Sequence, residues 1–203
     1  MELRGVISPD RPLLVVAVGV EAAGLGSEHP VLICGVGKVA AGQAVLHCLS
    51  GIAPSLRPRA LLNLGTAGAL RPGLEGVHSV GAVVQHDIDG ASIEKLTGRN
   101  PAPRIELGDG LTLATGDRFI QDATERDELA RSADLVDMEA YAVVAAGRLL
   151  GVRTRVVKHV SDNADAAALR TWLDAVAESS AALGSWLRSS AESVVAVEVE
   201  SNR

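Results

Sequence analysis

The sequence predicts a single domain, residues 1–203, in which strands alternate with helices as an α/β/α layered fold. Short apolar runs that end near glycine recur along the chain, and segments with helical spacing lie between them. Apolar residues make up 47% of the chain and aromatic residues only 2%, a mixture that suits alternating strands and helices better than an all-β sandwich. A chain of 203 residues is long enough for one substantial core, and it shows no internal repeat or linker.

The first half of the chain supplies three predicted strands and one helix. Apolar runs at residues 13–18, 31–34 and 60–64 are the strands. Residues 38–49 carry apolar positions at helical spacing, with Pro54 beyond them, and form the helix between the second and third strands.

The second half continues this alternation. The predicted strands are residues 80–84, 111–114, 135–136 and 152–160. The predicted helices are residues 120–131, 139–150 and 166–190, with Gly151 as the stop of the second and a break allowed near Gly184 in the third. Residues 90–110 are rich in Gly, Pro and charge, and this composition predicts a mobile loop. The tail, residues 191–203, alternates Val with Glu, a pattern that leaves an edge strand and a disordered segment both open.

Composition and charge exclude several classes of protein. The net charge is −6 and no basic stripe stands out, so the chain is not expected to bind nucleic acid. Cys34 and Cys48 cannot form a disulfide framework and are predicted to be buried thiols. No apolar run is long enough to span a bilayer and no secretion signal opens the sequence, so we expect a cytoplasmic protein without membrane contact. The five histidines lack paired ligand spacing, which gives no support for a metal site.

Three acidic residues follow apolar strands and are the candidates for chemistry. Glu139 comes after the strand at 135–136, Asp162 ends the run that starts at Val152, and Glu21 follows the first strand. A parallel α/β sheet binds its ligand beyond the carboxyl ends of its strands, where one carboxylate can hold a polar substrate and another can move a proton. Each residue also has a simpler interpretation: a first-turn acid for Glu139, a helix cap for Asp162 and a solvated acid for Glu21.

Three further motifs allow two interpretations each. Residues 35–40 (GVGKVA) fit a dinucleotide-binding turn superficially, but no acidic residue follows between 49 and 73, so tight strand-to-helix packing explains the glycines as well. Residues 63–68 (NLGTAG) are a glycine-rich turn at a strand end, which either lets the backbone and Thr66 approach a ligand or is a plain turn. Phe119, the only phenylalanine, either packs in the core or forms a stacking platform. No Gly-x-Ser-x-Gly elbow is present, which disfavours a serine hydrolase.

Five short segments occur in one order and together resemble a known superfamily. They are residues 35–41 (GVGKVAA), 63–68 (NLGTAG), 115–120 (TGDRFI), 137–140 (DMEA) and 160–165 (VSDNAD). The set resembles the purine nucleoside phosphorylase/uridine phosphorylase superfamily and is most similar to its methylthioadenosine/S-adenosylhomocysteine nucleosidases. The resemblance covers most of residues 13–172. It implies an α/β/α sandwich around a mixed, barrel-like central sheet, and hydrolysis of the N-glycosidic bond of a purine nucleoside without a metal or organic cofactor.

The same resemblance implies a role for each candidate residue. Asp162 matches the acid that protonates the base at N7, and Glu21 matches the carboxylate that orients or activates water. Glu139 matches the carboxylate that binds the ribose hydroxyls. The other residues that the resemblance assigns to substrate binding are Met138 against the sugar, Phe119 stacked on the purine, Ile120 at the purine edge, Trp172 near the 5′ substituent, and Thr66, Lys158 and Ser161.

Two features of the sequence bear on the choice of reaction. Asn63 stands where phosphorylases of this superfamily carry a phosphate-binding arginine, and their early Gly-Asp-Pro segment is missing, so water is the expected nucleophile. Lys158 stands where the nucleosidases usually carry arginine, which leaves a non-catalytic nucleoside-binding protein as an alternative beside a phosphate-dependent phosphorylase. The resemblance also implies a homodimer, and His86 and Asp87 are candidates for subunit contact, for a site lid or for a solvated turn.

Overall fold

The computed structural model describes residues 1–190 of the chain. The strands are β1 (Glu2–Arg4), β2 (Leu13–Val16), β3 (Val31–Ile33), β4 (Leu61–Ala69), β5 (Gly76–Gln85), β6 (Ile105–Glu106), β7 (Leu111–Thr115), β8 (Leu135–Asp137) and β9 (Thr154–Asp162). The helices are α1 (Lys38–Leu49), α2 (Gly90–Thr97), α3 (Ala123–Leu129), α4 (Ala140–Leu150) and α5 (Ala168–Ser189), with one 3-10 turn at Pro54–Leu56. The alternatives predicted for the tail, an edge strand or disorder, lie outside the described residues.

The strands form one mixed sheet that closes on itself. β4, β8, β7, β5 and β9 pair in a ring, because β9 pairs with both β4 and β5. β2, β3 and β1 extend from one edge of β4 as an open sheet, and β6 pairs with β5. The expectation of a mixed, barrel-like sheet is confirmed.

Helices cover both faces of the open part of the sheet. Alternate residues of β2 point to opposite sides, as a strand's period of two requires. Leu13 and Val15 pack in one cluster with buried residues of α1 and α4, whereas Leu14 and Val16 pack in another with Leu183 and Leu187 of α5. All four β2 residues are buried, which is why this strand reads as a continuous apolar run rather than an alternating one. The three layers are therefore α1 and α4, the sheet, and α5.

Two segments depart from the sequence-based predictions in their local structure. Residues 90–110 do not form a single loop, because they contain α2 and β6. Asp89 caps α2 by accepting a hydrogen bond from the Ser92 amide (3.0 Å), and Gly98 ends it in the left-handed conformation (φ 71°). The short strand β1 was not predicted; its three residues are exposed, so they carry no apolar signal. Among the helices of residues 1–190, none has the length and apolar character needed to cross a membrane.

The prediction of a glycine-rich turn at residues 63–68 is wrong, because β4 runs straight through the segment. Gly65 and Gly68 lie inside the strand and pair with residues of β9, with a bulge between Ala67 and Gly68. A β-carbon on Gly65 would lie 3.0 Å from the Glu21 carboxylate, and one on Gly68 would lie 3.0 Å from the Asp162 carboxylate. The main role of these glycines is therefore to leave room for two acidic side chains, and not to turn the backbone.

The break allowed near Gly184 is also wrong, since α5 is continuous from Ala168 to Ser189. Gly184 instead permits close packing, because a β-carbon there would collide with the carbonyl oxygen of Gly24. Ser180, one turn earlier on the same helix, donates a hydrogen bond to the carbonyl oxygen of Glu21 (2.7 Å) and accepts one from the amide of Gly24 (2.8 Å). The helix thus holds the turn that carries Glu21.

We expect Gly184→Ala to lower the free energy of unfolding by about 1–3 kcal/mol, the usual cost of overpacking. This cost exceeds the roughly 1 kcal/mol that alanine gains over glycine inside a helix. Gly51→Ala is the matched control, because a β-carbon at Gly51 meets no atom within 4 Å. Urea unfolding of both variants measures the effect; a Gly184→Ala variant as stable as the control would show that the helix and the turn do not need this close approach.

Candidate active site

A cavity of about 200 Å³ opens beyond the carboxyl ends of β2, β4 and β9. It is lined by all the predicted site residues except Lys158: Glu21, Thr66, Phe119, Ile120, Met138, Glu139, Ser161, Asp162 and Trp172. β2, β4 and β9 are mutually parallel, so their carboxyl ends meet at one edge of the sheet. The structure therefore places the three candidate carboxylates at a single site.

Asp162 is the last residue of β9 and is buried. Its Oδ1 accepts a hydrogen bond from the Ala164 amide (2.9 Å) and its Oδ2 accepts one from the Ser161 hydroxyl (2.8 Å). Burial raises the pKa of Asp162 and the nearby Asp165 adds to the rise, although the two hydrogen bonds oppose it. The residue does not cap α5, which begins six positions later at Ala168. A buried carboxyl with a raised pKa that lines a cavity suits a general acid.

Glu21 is held by four hydrogen bonds. Its Oε1 accepts from the amide (2.9 Å) and the hydroxyl (3.1 Å) of Thr66, and its Oε2 accepts from the amides of Ala17 (3.1 Å) and Val18 (3.3 Å). The side chain is 3% exposed, so it is not the solvated acid that the simpler interpretation proposed. Thr66 in turn accepts a hydrogen bond from Trp172 Nε1 (2.8 Å), which ties the aromatic ring of α5 to the same carboxylate.

Glu139 precedes the first residue of α4 but does not cap that helix with its side chain. Its Oε1 instead accepts a hydrogen bond from the amide of Gly37 at the start of α1 (2.8 Å). Burial raises the pKa of Glu139 to about 7, and the charge of Asp137 adds to the rise, while Lys158 and the Gly37 amide oppose it. The carboxyl therefore changes its charge near neutral pH.

Lys158 lies beneath the cavity and does not line it. Its Nζ is 2.9 Å from Asp137 Oδ2, and its side chain is 2% exposed. Burial acts to lower the pKa of Lys158, but the charges of Asp137, Glu139 and Glu21 outweigh burial and raise it. The prediction that Lys158 contacts substrate needs correction, because Lys158 does not line the cavity. Its ammonium group pairs with Asp137 beneath the cavity floor and stabilises the neighbouring carboxylates there.

Asp137 was not predicted as a site residue, yet it lines the cavity beside Glu139. Its Oδ1 accepts a hydrogen bond from the Thr115 hydroxyl (2.6 Å), and its Oδ2 accepts one from the amide of Ala140 (2.9 Å), the first residue of α4. The signal for this residue was present in the sequence. A lysine inside the apolar run of β9 requires an acidic partner, and Asp137 ends the apolar strand β8.

The rest of the cavity wall is largely apolar. Phe119 is 38% exposed, which removes it from the core and leaves its ring available to a ligand, whereas Ile120 is buried. Arg118 lines the cavity next to Phe119, where its guanidinium pairs with Glu125 (2.8 Å) and is largely exposed to solvent. Val36 and Leu169 line the cavity too and were not predicted.

The glycine-rich segment at the start of α1, which resembles a dinucleotide-binding turn, donates its backbone amides to carboxylates of the protein itself. Gly37 has a left-handed backbone (φ 92°) and donates to Glu139, and the Lys38 amide donates to Asp117 Oδ1 (2.7 Å). A helix N-terminus of this kind can bind a phosphate, but here the protein's own side chains accept from its amides. The inference against a nicotinamide cofactor is consistent with this arrangement.

His86 and Asp87 lie directly after β5, and both side chains contact the segment that precedes Phe119. Asp87 forms an ion pair with Lys38 and accepts a hydrogen bond from the Asp117 amide (2.8 Å), and these contacts lower its pKa although burial opposes them. The His86 ring packs against Gly116, where a β-carbon would collide with it. These contacts brace the segment that leads into Arg118 and Phe119.

Comparison with solved structures gives the fold of the chain. Native futalosine hydrolase from Helicobacter pylori is 20% identical with a TM-score of 0.78, over 91% of this chain and 98% of that one. The 5′-methylthioadenosine/S-adenosylhomocysteine nucleosidase from Helicobacter pylori with butyl-thio-DADMe-Immucillin-A is 20% identical with a TM-score of 0.77, over 91% and 98%. The S-adenosylhomocysteine nucleosidase from Streptococcus pyogenes with 5-methylthiotubericidin is 21% identical with a TM-score of 0.76, over 94% and 99%. The chain therefore has the nucleoside phosphorylase-like fold.

A comparison with family models agrees with the structural one. Residues 91–189 match the model of the phosphorylase superfamily. No curated protein matches the chain significantly. The superfamily resemblance predicted from five short motifs is confirmed.

The raised pKa of Glu139 predicts how the free energy of unfolding changes with pH. In the folded chain the pKa of this carboxyl is about 7, whereas the ordinary pKa of a glutamate is 4.5. Unfolding therefore releases a proton between these two pH values, and the free energy of unfolding falls as pH rises through this range. Glu139→Gln cannot titrate. We expect the stability of Glu139→Gln relative to the parent to rise by roughly 3 kcal/mol between pH 4.5 and 7.

Urea unfolding at several pH values measures this difference. Glu94→Gln, the same substitution at an exposed position of α2, is the matched control. A Glu139→Gln curve parallel to the parent across this range would contradict the assigned charge of Glu139.

Proposed function

We propose that the protein is an N-glycosyl hydrolase that cleaves the base–ribose bond of a purine nucleoside and releases the free base and the sugar. The observation that carries the proposal is the convergence of Asp162, Glu139 and Glu21 on one cavity, beside the half-exposed ring of Phe119. The solved structures with this fold include nucleosidases and a futalosine hydrolase. The match to the phosphorylase superfamily agrees with a nucleoside as substrate.

The proposed chemistry assigns the proton transfer to Asp162. Cleavage of a ribosyl C–N bond passes through an oxocarbenium-like state, and the departing base must gain a proton because it leaves poorly as an anion. Burial raises the pKa of Asp162, which favours the protonated form that a general acid needs. Asp162 donates this proton to N7 of the purine, with the Ser161 hydroxyl fixing the orientation of its carboxyl.

Glu139 and Glu21 are assigned to the sugar and to water. Glu139 accepts hydrogen bonds from the ribose hydroxyls in its ionised form and, with Met138 against the sugar, positions the ring. Glu21 orients the attacking water and takes up the proton that this water loses as its oxygen bonds to C1′ of the sugar. Its carboxylate is fixed by Thr66 and by two backbone amides on its other side. Phe119 stacks on the base, Ile120 lies at its edge, and Trp172 and Leu169 form an apolar wall for the 5′ substituent. An apolar 5′ group such as a methylthio group suits this wall.

Water is a better nucleophile than phosphate at this site. Among the residues that line the cavity, Arg118 is the one basic side chain, and it is paired with Glu125 and largely exposed. Asn63 is 1% exposed and donates to the Val15 carbonyl oxygen (3.0 Å) within the sheet, and it is not part of the cavity wall. A phosphate dianion would therefore meet four acidic side chains without a compensating fork of donors.

We propose a homodimer in the cytoplasm, with no cofactor, nucleic acid or membrane partner. Val36, Leu169 and Leu173 are exposed apolar residues near the cavity mouth, and a second subunit would remove them from water. Size-exclusion chromatography with light scattering measures the assembly state.

Asp162→Asn should lower the rate of base release by about 10²–10⁴-fold, the usual contribution of a general acid, while the nucleoside still binds. The substrates are 5′-methylthioadenosine, S-adenosylhomocysteine, futalosine, adenosine and inosine, with free base followed by chromatography. Asp174→Asn, the same substitution at an exposed position of α5, is the control and should keep full activity. Full turnover by Asp162→Asn would remove Asp162 from this role, and binding without base release by the parent protein would favour a non-catalytic nucleoside-binding protein.

Turnover should be independent of phosphate. The initial rate in phosphate-free buffer should equal the rate with phosphate at the same ionic strength, because water supplies the attacking oxygen. The sugar product identifies the nucleophile directly, since hydrolysis yields the free sugar and phosphorolysis yields the sugar 1-phosphate. A strict requirement for phosphate would establish a phosphorylase in place of a hydrolase.

A further inference from the structure

A second cavity lies at the opposite end of the sheet from the candidate active site. It has a volume of about 350 Å³ and is bounded by Pro12, Leu61 and Arg153, which stand at the amino ends of β2, β4 and β9. The first cavity lies at the carboxyl ends of these same parallel strands. The two cavities are therefore separate, and the nucleoside chemistry proposed for the first makes no use of the second.

The charge of this second cavity is opposite to that of the whole chain. Three arginines line it, Arg59, Arg153 and Arg155, against one acidic residue, Asp109. The chain as a whole carries a net charge of −6, so the arginines make a local positive site on an acidic protein. Much of the remaining wall is apolar, including Leu62 and Val156. Apolar walls lower the local dielectric and strengthen the attraction between guanidinium groups and an anion.

One guanidinium nitrogen of Arg155 lacks a hydrogen-bond acceptor within residues 1–190. This atom, Nη1, is buried and has no hydrogen-bond partner among the described residues. Burial lowers the pKa of Arg155, and the charge of the nearby Arg153 adds to the effect. Buried guanidinium N–H groups are normally paired with an acceptor. A small rotation of the guanidinium group toward an anion in the cavity would supply one.

We propose that this second cavity binds an oxyanion of the phosphate type, held by Arg155 with Arg153 at the rim. A guanidinium group presents a rigid fork of N–H donors that matches two oxygens of a phosphate, which makes arginine the preferred residue for such ligands. The volume of the cavity exceeds that of a phosphate ion and leaves space for an attached small molecule. The ligand is either free phosphate or the phosphate group of a small phosphomonoester.

Isothermal titration of the full chain with inorganic phosphate, with chloride keeping the ionic strength constant, tests this site. Arg155→Met should weaken phosphate binding by more than about tenfold, because it removes the guanidinium fork that pairs with two phosphate oxygens. Arg118→Met is the matched control, since Arg118 lines the other cavity, and it should leave phosphate binding unchanged. Thermal melting should agree: phosphate should raise the Tm of the parent and of Arg118→Met but not that of Arg155→Met.

A parallel titration with ribose 5-phosphate identifies the source of the oxyanion. Tighter binding than that of inorganic phosphate assigns the site to a phosphomonoester, and equal or weaker binding assigns it to free phosphate. If Arg155→Met does not fold, Arg153→Met at the exposed rim carries the same test with the same expected direction. No phosphate binding by the parent, or unchanged binding when the arginines of this cavity are replaced, would overturn the proposal. Base release from nucleosides is measured separately, so this outcome leaves the proposed hydrolase unaffected.

Discussion

The candidate active site depends on one buried cation among several buried carboxylates. Lys158 is paired with Asp137 and is attracted also by Glu139 and Glu21, so one positive charge faces three acidic groups. Such a group of charges is costly to bury, and the raised pKa of Glu139 relieves the cost because the carboxyl keeps a proton near neutrality. A ligand that offers hydroxyl donors to Glu139 would favour its ionised form. Sugar binding and the charge of the site are therefore linked through the same residues.

The strand β4 makes this arrangement possible. Its glycines leave space where side chains would otherwise stand, so the carboxylates of Glu21 and Asp162 approach the strand from different elements. The amide and hydroxyl of Thr66, between those glycines, hold Glu21. The turn with Glu21 is secured from the other side by Ser180 of α5. The strand β4 thus supports two side chains that come from distant parts of the sequence.

Most of the fold could be predicted from the sequence, because apolar runs and helical spacing report burial directly. The bounds of α1 and the end of α4 at Gly151 agree with the prediction. Two of the errors arose where glycine has a packing role: residues 63–68 are a strand and Gly184 lies inside a continuous helix. The other two, α2 with β6 and the exposed strand β1, lie in segments without a continuous apolar signal. At the site, motif order indicated three of the four carboxylates that line the cavity, but it missed Asp137 and assigned Lys158 to the substrate. The partner of a buried charge depends on three-dimensional contacts between β8 and β9, and local spacing does not encode them.

A crystal structure of Asp162→Asn with 5′-methylthioadenosine would show directly whether these carboxylates bind a nucleoside. We expect the purine to lie against Phe119 with its N7 within hydrogen-bond distance of position 162, and the ribose hydroxyls to contact Glu139. A nucleoside bound elsewhere, or one whose sugar does not contact Glu139, would refute the roles assigned to these residues.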